Sequence, residues 1–480
     1  MLISTNNFLK VKSVIKQRVF TLLGTDQKQI RTAAAYALAS IASCEYPEQY
    51  PSLLVDLASL IRSGSRHAVH GAMRVLVDFV KADLTEHQLI PVAQELLPLL
   101  LQIFKSPQLY TDSTRALTVS VLRQCIITLD MVRESYPEAS RETAQAIIPV
   151  WLDAFIELLS TPSQNETKSQ WGIRFEIVKT ITSIFSSFKS SVIERLPDLI
   201  KISIAHLNDL LPIFIDNQVY DTQLFSQIEG EEDDDGATVE ELVCPIVDLI
   251  SGFTNVKQGK IVFEDQNLNI IPVAVRLALE WGQMTVEEEE TWAADPNAFV
   301  DDEEDETENY SLRIATHDLL DSLLSRYPII TSKTLGPETA KMLSTSQNTH
   351  NEGKSYWWKP IEAALATIGN VSDYLTDEDN ETSENFDLVG LCQSVVTQFV
   401  TAKGLFFKKI FLPLNKLIQL SDAPFLQGRA FVFASKFSTA LPTDLVDAFV
   451  EAAAQILNQQ DASVPVKVSA VRAIRKYVYQ

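Results

Sequence analysis

Carboxylates are the densest chemical resource of this sequence. Glu287 to Glu308 holds 12 acids, Glu229 to Glu241 holds 8 and Asp377 to Asp387 holds 6, and none of these windows contains Lys or Arg. Crowded carboxylates can chelate a hard cation or attract a basic macromolecule. The first use needs a particular spacing. In EEDDDGATVEEL, Asp233, Asp235 and Gly236 fall at positions 3, 5 and 6 of a calcium loop. Position 1 is Glu231, however, and position 12, which must supply a bidentate Glu, is Leu242. His67 and His70 lie one helical turn apart but have no third ligand at a matching spacing, and the other four histidines are isolated. GKS at Gly353 to Ser355 lacks the earlier glycine of a phosphate loop, because position 348 is Asn348. GxSxG and GxGxxG are absent. The residues therefore assemble no catalytic constellation and imply no metal and no cofactor. Attraction of a basic partner is the use that remains.

The formal net charge is -23, yet outside the three windows 37 acids face 40 bases. The acidity thus belongs to three short inserts on a nearly neutral scaffold. Blocks of like charge are normally solvated loops and often serve as interaction segments, the plainer alternative being a solubilising loop. The basic stretch KGLFFKKIF, with Lys403, Lys408 and Lys409, reads as one helix with an aromatic core face and a solvated lysine face, so no direct nucleic-acid binding is expected. Asn165, Asn370 and Asn380 begin glycosylation triplets, which mean nothing without a signal sequence.

The elements that must carry these inserts are helices. Apolar residues recur at i, i+3, i+4 and i+7, strict alternation is nowhere sustained, and the 15 Gly and 20 Pro are read as punctuation between helical runs. A grammar repeats. In RVFTLLGTDQKQIRTAAAYALASIASCEYP an apolar helix end meets a polar turn at Gly24 to Gln27; Ile30 and Arg31 follow, then Ala33, Ala34, Ala37, Leu38 and Ile41 before Pro47. It returns at Leu312 and Arg313 ahead of Pro328, at Val466 and Lys467, and more loosely at Ile173 and Arg174 and at Arg429. The small residue lets two helices approach, and the basic residue after the turn can reach neighbouring carbonyls or the previous repeat. These are HEAT repeats, antiparallel helix pairs of about 40 to 47 residues. The expected fold is all-α: an α-solenoid, a superhelix of roughly ten such pairs with acidic loop insertions. It is read as one solenoid over residues 1 to 480, with inserts near 229–241, 287–308 and 377–387.

No window of about 18 apolar residues occurs and the opening residues lack a secretory pattern, so the expectation is a soluble intracellular chain with no membrane insertion. The widely spaced Cys44, Cys125, Cys244 and Cys392 suggest buried thiols rather than disulfides or a zinc knuckle. Met1 stands just ahead of a helix and Gln480 inside one, so a segment of a longer solenoid is expected.

Five separated stretches carry a family resemblance: AVHGAMRVLVDF, TWAADPNAFVDDEEDETENYSLRIATHDLL, YWWKPIEAALATIG, PFLQGRAFVFASKF and VKVSAVRAIRKY. In order and spacing the sequence resembles the β-karyopherins, the importin-β-like nuclear transport receptors, in their importin nine branch. The resemblance implies a non-enzymatic receptor that shuttles between cytoplasm and nucleus. It would wrap basic cargo on its concave face, pass the pore through Phe-Gly nucleoporins and answer to Ran in its GTP form. The implied cargoes are a core histone dimer and, in fungi, TATA-binding protein. It places Glu287 to Glu308 at the insert joining two helices of a central repeat, where cargo and Ran compete.

The cargo or Ran contacts expected there are Glu287, Glu288, Glu289, Glu290, Asp295, Asp301, Asp302, Glu303, Glu304, Asp305 and Glu306. Trp292, Pro296 and Phe299 would pin the base of a mobile loop while Asp301 to Glu306 stay unbound, although Trp292 and Phe299 are also readable as plain packing. Glu231, Glu232, Asp233, Asp234 and Asp235 extend the list, as does Arg74, beside which Gly71 and Ala72 would permit close helix packing and Leu76 is core. Two rival readings remain from the same residues: a HEAT scaffold for an enzyme complex, and a histone chaperone that never crosses the pore.

Overall fold

The computed structural model describes residues 2–83, 96–163, 167–222, 236–303, 310–376, 386, 388, 423–441 and 443–479. All of the regular structure among them is helical. The chain divides into two compact units, Met1–Ile202 with Gln227–Pro245, and Ser203–Ser226 with Ile246–Gln480.

The first unit contains α1 (Leu2–Leu22), α2 (Lys28–Glu45), α3 (Leu53–Arg62), α4 (Arg66–Asp83), α5 (Leu97–Phe104), α6 (Asp112–Met131), α7 (Pro137–Leu159), α8 (Lys168–Ser187) and α9 (Lys189–Ile193). α10 (Leu196–Phe214) begins in it. Successive pairs stack: α2 packs on α4, α4 on α6 and α6 on α8, while α1, α3 and α5 lie against α2, α4 and α6. Each pair covers its apolar stripe with its neighbours, which is the HEAT architecture expected from the spacing.

The repeated basic residue has a specific task. Arg31 donates to the Thr25 carbonyl at 2.8 Å, and Arg174 to the Thr161 carbonyl at 3.0 Å and its hydroxyl at 2.8 Å. Arg115, a copy the grammar did not single out, donates to the Phe104 carbonyl at 2.7 Å. Each guanidinium reaches back to carbonyls around the turn that its own helix follows, acceptors that have no partner inside their own helix. Gly71 in α4 likewise meets its expectation. A Cβ there would stand 2.3 Å from the Leu23 carbonyl oxygen, so α4 crosses the end of α1 at backbone contact. Gly71→Ala should cost about 1–3 kcal/mol. The check is a lower urea midpoint at an unchanged m-value. Ala72 and Leu76 are buried core, while Arg74 is half-buried on the same helix.

The second unit holds the end of α10, a π-helix at Ile215–Val219, and most of α11 (Val239–Thr254). There follow α12 (Lys257–Phe263), α13 (Ile270–Trp281), α14 (Val286–Ala294), α15 (Pro296–Glu303), α16 (Leu312–Arg326), α17 (Pro328–Asn351), α18 (Lys359–Asn370), α19 (Ser372–Thr376), α20 (Pro424–Lys436), α21 (Thr443–Asn458) and α22 (Val464–Tyr479). α13 packs on α16, α17 and α18, α18 on α20, and α20 on α22.

Three expectations need correction. Proline does not only punctuate: Pro149, Pro212, Pro245 and Pro337 lie inside helices. Burial on the packed faces of these helices outweighs the lost N–H donor. Cys44 is exposed rather than buried, and Cys244 is half-buried. Cys125 is a core thiol whose pKa burial pushes up to about 12, which leaves it inert. Among the described residues no helix is long and apolar enough to cross a membrane. Cys392, the KGLFFKKIF stretch and nearly all of Asp377 to Asp387 lie outside the described residues.

Candidate functional site

The acidic run from Glu287 is a pair of helices as far as Glu303, not the mobile loop its charge suggests. The fold starts it with a capping box. The Thr285 hydroxyl accepts from the Glu288 N–H at 3.1 Å, and the Glu288 carboxylate accepts from the Thr285 N–H at 2.8 Å. Acids in the first turn then face the positive end of the helix, so Glu287, Glu288 and Glu289 favour α14 where a solvated loop was expected. At the next break the Asp295 carboxylate accepts from the Asn297 N–H at 2.9 Å and turns the chain into α15.

The two aromatic residues of the strap are deeply placed, which suits an anchor and plain packing alike. Trp292 is 3% exposed and Phe299 5%. Their rings meet edge to face at 5.4 Å, and both approach Phe425 of α20, at 5.9 Å and 6.1 Å. The Trp292 indole N–H donates to Asp302 at 2.8 Å, so this carboxylate, expected to stay unbound, is tied to the anchor. Arg472 of α22 donates to the Val300 carbonyl at 3.1 Å with its guanidinium 6.0 Å from the Phe299 ring.

Beneath this strap lies a charge network that no sequence argument had assembled. Glu362 of α18 is fully buried and accepts from Arg313 at 2.9 and 3.0 Å through a two-pronged contact, and from Arg429 at 2.8 Å. Arg313 also lies 5.9 Å from the Trp292 ring. Burial opposes the charge on Arg313, but the Glu362 carboxylate outweighs it and holds the guanidinium pKa above its ordinary value. Lys359, 1% exposed, pairs with Glu289 at 2.9 Å and donates to the Val219 carbonyl at 2.9 Å. In sequence Lys359 and Glu362 lie on the polar side of an amphipathic helix, but in the fold every residue from Lys359 to Gly369 is buried, and charges placed there require partners.

Burial pushes the Glu288 carboxyl above its ordinary pKa, against the pull of Arg313 and of its hydrogen bonds to Thr285. Burial likewise raises Asp216, Asp248, Glu280 and Asp318 in the same unit. A carboxyl raised in the folded state costs stability while ionised, and that cost is relieved as pH falls through its folded pKa. Glu45 and Asp153 in the first unit are lowered, Glu45 by its lysine partners against the cost of burial and Asp153 by its bond to Arg195. Their contribution is lost only below the ordinary carboxylate range. As pH falls from neutral toward the ordinary carboxylate range the second unit should therefore become more resistant to urea while the first changes little. Hydrogen exchange along a urea series, read separately on peptides of each unit, makes the comparison.

The outer side of the strap carries Glu287, Glu290, Asp295, Asp301 and Asp302, all exposed, and of these only Asp302 has a side-chain bond to the anchor. No ion pair occupies the other four among the described residues. Glu288 and Glu289 face inward into the contacts above. Glu303 ends α15, whereas Glu304, Asp305 and Glu306 lie outside the described residues, as do Glu231, Glu232, Asp233, Asp234 and Asp235. Arg74 belongs to the first unit and is no part of the strap. Among the described residues no cluster of His, Cys, Asp and Glu is arranged to hold a metal ion. The arrangement presents negative charge from a fixed support.

Residues 265–480 match the family described as Importin-9 central HEAT repeats. Importin-9 of Drosophila melanogaster is 23% identical over 365 residues, covering 75% of this chain and 34% of its own length. Importin subunit beta-5 of Schizosaccharomyces pombe is 21% identical over 443 residues, covering 89% of this chain and 41% of its own length. Among solved structures, the exportin Cse1 in its cargo-free, cytoplasmic state superposes with a TM-score of 0.55 at 16% identity, covering 97% of this chain and 48% of that one. Lph2, a bidirectional nuclear transport receptor of S. cerevisiae, gives 0.54 at 17% identity, covering 98% and 46%. These superpositions bear on the fold, a HEAT solenoid. The chain spans less than half the length of each of these relatives.

Proposed function

We propose that this chain, an importin-β-like karyopherin of the importin-9 branch, works as part of a non-enzymatic nuclear import receptor that takes basic proteins through its acidic strap. The observation that carries this reading is the division of the strap into two faces. Inner groups are consumed by the fold, while Glu287, Glu290, Asp295 and Asp301 stand outward without cationic partners among the described residues. Carboxylates held on anchored helices lose little freedom when a partner arrives, and their field speeds the encounter with a positively charged one. The attraction acts within a Debye length, about 8 Å at physiological salt, so it favours partners with clustered Lys and Arg.

The cargo class is a core histone dimer and, in fungi, TATA-binding protein. Ran in its GTP form regulates release, Phe-Gly nucleoporins give weak passage, and the receptor moves between cytoplasm and nucleus. Support comes from the karyopherin kinship of the chain and from the charge of the strap. An import assay in permeabilised cells with a labelled core histone dimer tests it. Nuclear accumulation that depends on this chain and on GTP-loaded Ran is expected. Binding without accumulation would leave a histone chaperone, and neither would return the HEAT scaffold reading.

A further inference from the structure

In a helical solenoid each repeat touches only its neighbours, so a disturbance in one pair fades along the stack. The strap departs from that rule. Through Glu289 it meets Lys359 of α18, which also holds the Val219 carbonyl of the π-helix, 140 residues away in sequence. Through Trp292 and Phe299 it packs on Phe425 of α20. Through the Val300 carbonyl it takes Arg472 of α22, 172 residues away. One segment of two short helices thus fastens elements drawn from several successive pairs.

We infer that α14–α15 is a tie that couples its outer carboxylates to α22, with Lys359 and Arg472 as positioning residues, so that a basic partner engaged on the strap steadies the helix pair carrying α22. This rests on the reading that the strap receives basic partners. Coupling follows from shared opening. If the strap must detach for α22 to open, a ligand that binds only the attached strap lowers the opening of both by the same factor.

The composition of α22 makes the effect readable. It carries Lys467, Arg472, Arg475 and Lys476 and no acid, so it offers a basic partner no seat of its own. Protection that appears there on binding has travelled through the fold, either by the Arg472 contact or by Phe425 and α20, and removing the Arg472 donor separates the two routes.

The test is amide hydrogen exchange on the whole chain, with and without a core histone dimer at about 100 times its Kd. Exchange in residues 286–303 and 464–479 should slow together, by up to about 100-fold. Arg472→Met removes the guanidinium donor without touching an outer carboxylate. With it, the dimer should still bind and protect the strap while the slowing in α22 disappears. Arg472→Lys, which keeps a donor for the Val300 carbonyl, should restore it. Strap protection without α22 protection in the unaltered chain overturns the tie, as does α22 protection that survives Arg472→Met. Should the dimer fail to bind, the partner reading fails, and the tie is then judged in the free protein. There Arg472→Met must quicken exchange in the strap and α22 together, and quickening confined to α22 overturns it.

Discussion

Glu362→Gln is expected to destabilise the second unit by about 3–5 kcal/mol. The carboxylate sits at zero exposure between two guanidinium groups. Removing its charge leaves Arg313 and Arg429 facing each other in a desolvated core, while the cost of burying both remains. The amide keeps the shape, so packing loss cannot account for the result. Replacing all three, with Arg313→Met, Glu362→Leu and Arg429→Met together, should recover much of the stability, because a matched apolar set carries no desolvation cost. Urea denaturation of the single and triple variants decides the point. A single variant within about 0.5 kcal/mol of the unaltered chain would mean the network is not the keystone described here.

The second large effect concerns binding. Changing Glu287 and Glu290 to Gln and Asp295 and Asp301 to Asn should weaken binding of a core histone dimer by between roughly 4-fold and roughly 1,000-fold, taking about 0.2–1 kcal/mol for each exposed pair lost. It should also flatten the salt dependence, since fewer screened contacts remain. Stability should change little: Asn at position 295 keeps a side-chain oxygen that can accept from the Asn297 N–H, and the loss of Glu287 from the first turn of α14 is a small, exposed dipole effect. Isothermal titration at two ionic strengths, beside the urea midpoint of the same variant, separates the two consequences. Glu289→Gln is the informative contrast: it strips the carboxylate from buried Lys359, so stability should fall as well as affinity.

Much of the architecture was legible because the HEAT grammar expresses local physics. An arginine after a turn and a small residue at a helix crossing leave marks at fixed offsets, and Arg31, Arg174 and Gly71 were readable from them. Arg115 follows the same rule, but a threonine rather than a branched apolar residue precedes it. From Glu287 to Glu303 the uncompensated charge argues for a solvated loop, while the opposing helical signals are short. Thr285 with Glu288 is a capping-box spacing, and Trp292 with Phe299 is a two-turn apolar spacing. Those signals settle the helices only when Phe425 and Arg472 arrive from far along the chain. Lys359 and Glu362 lie on the polar side of an amphipathic pattern, so both their burial and their partners, Glu289, Val219, Arg313 and Arg429, are tertiary facts.

The central point is whether the outer carboxylates of a fixed strap receive a basic partner. A titration of this chain with a core histone dimer, in low and in moderate salt, with and without GTP-loaded Ran, tests that most directly. Tight binding that weakens as salt rises and that Ran alters is the predicted result. Binding indifferent to salt, or no binding in low salt, would contradict it.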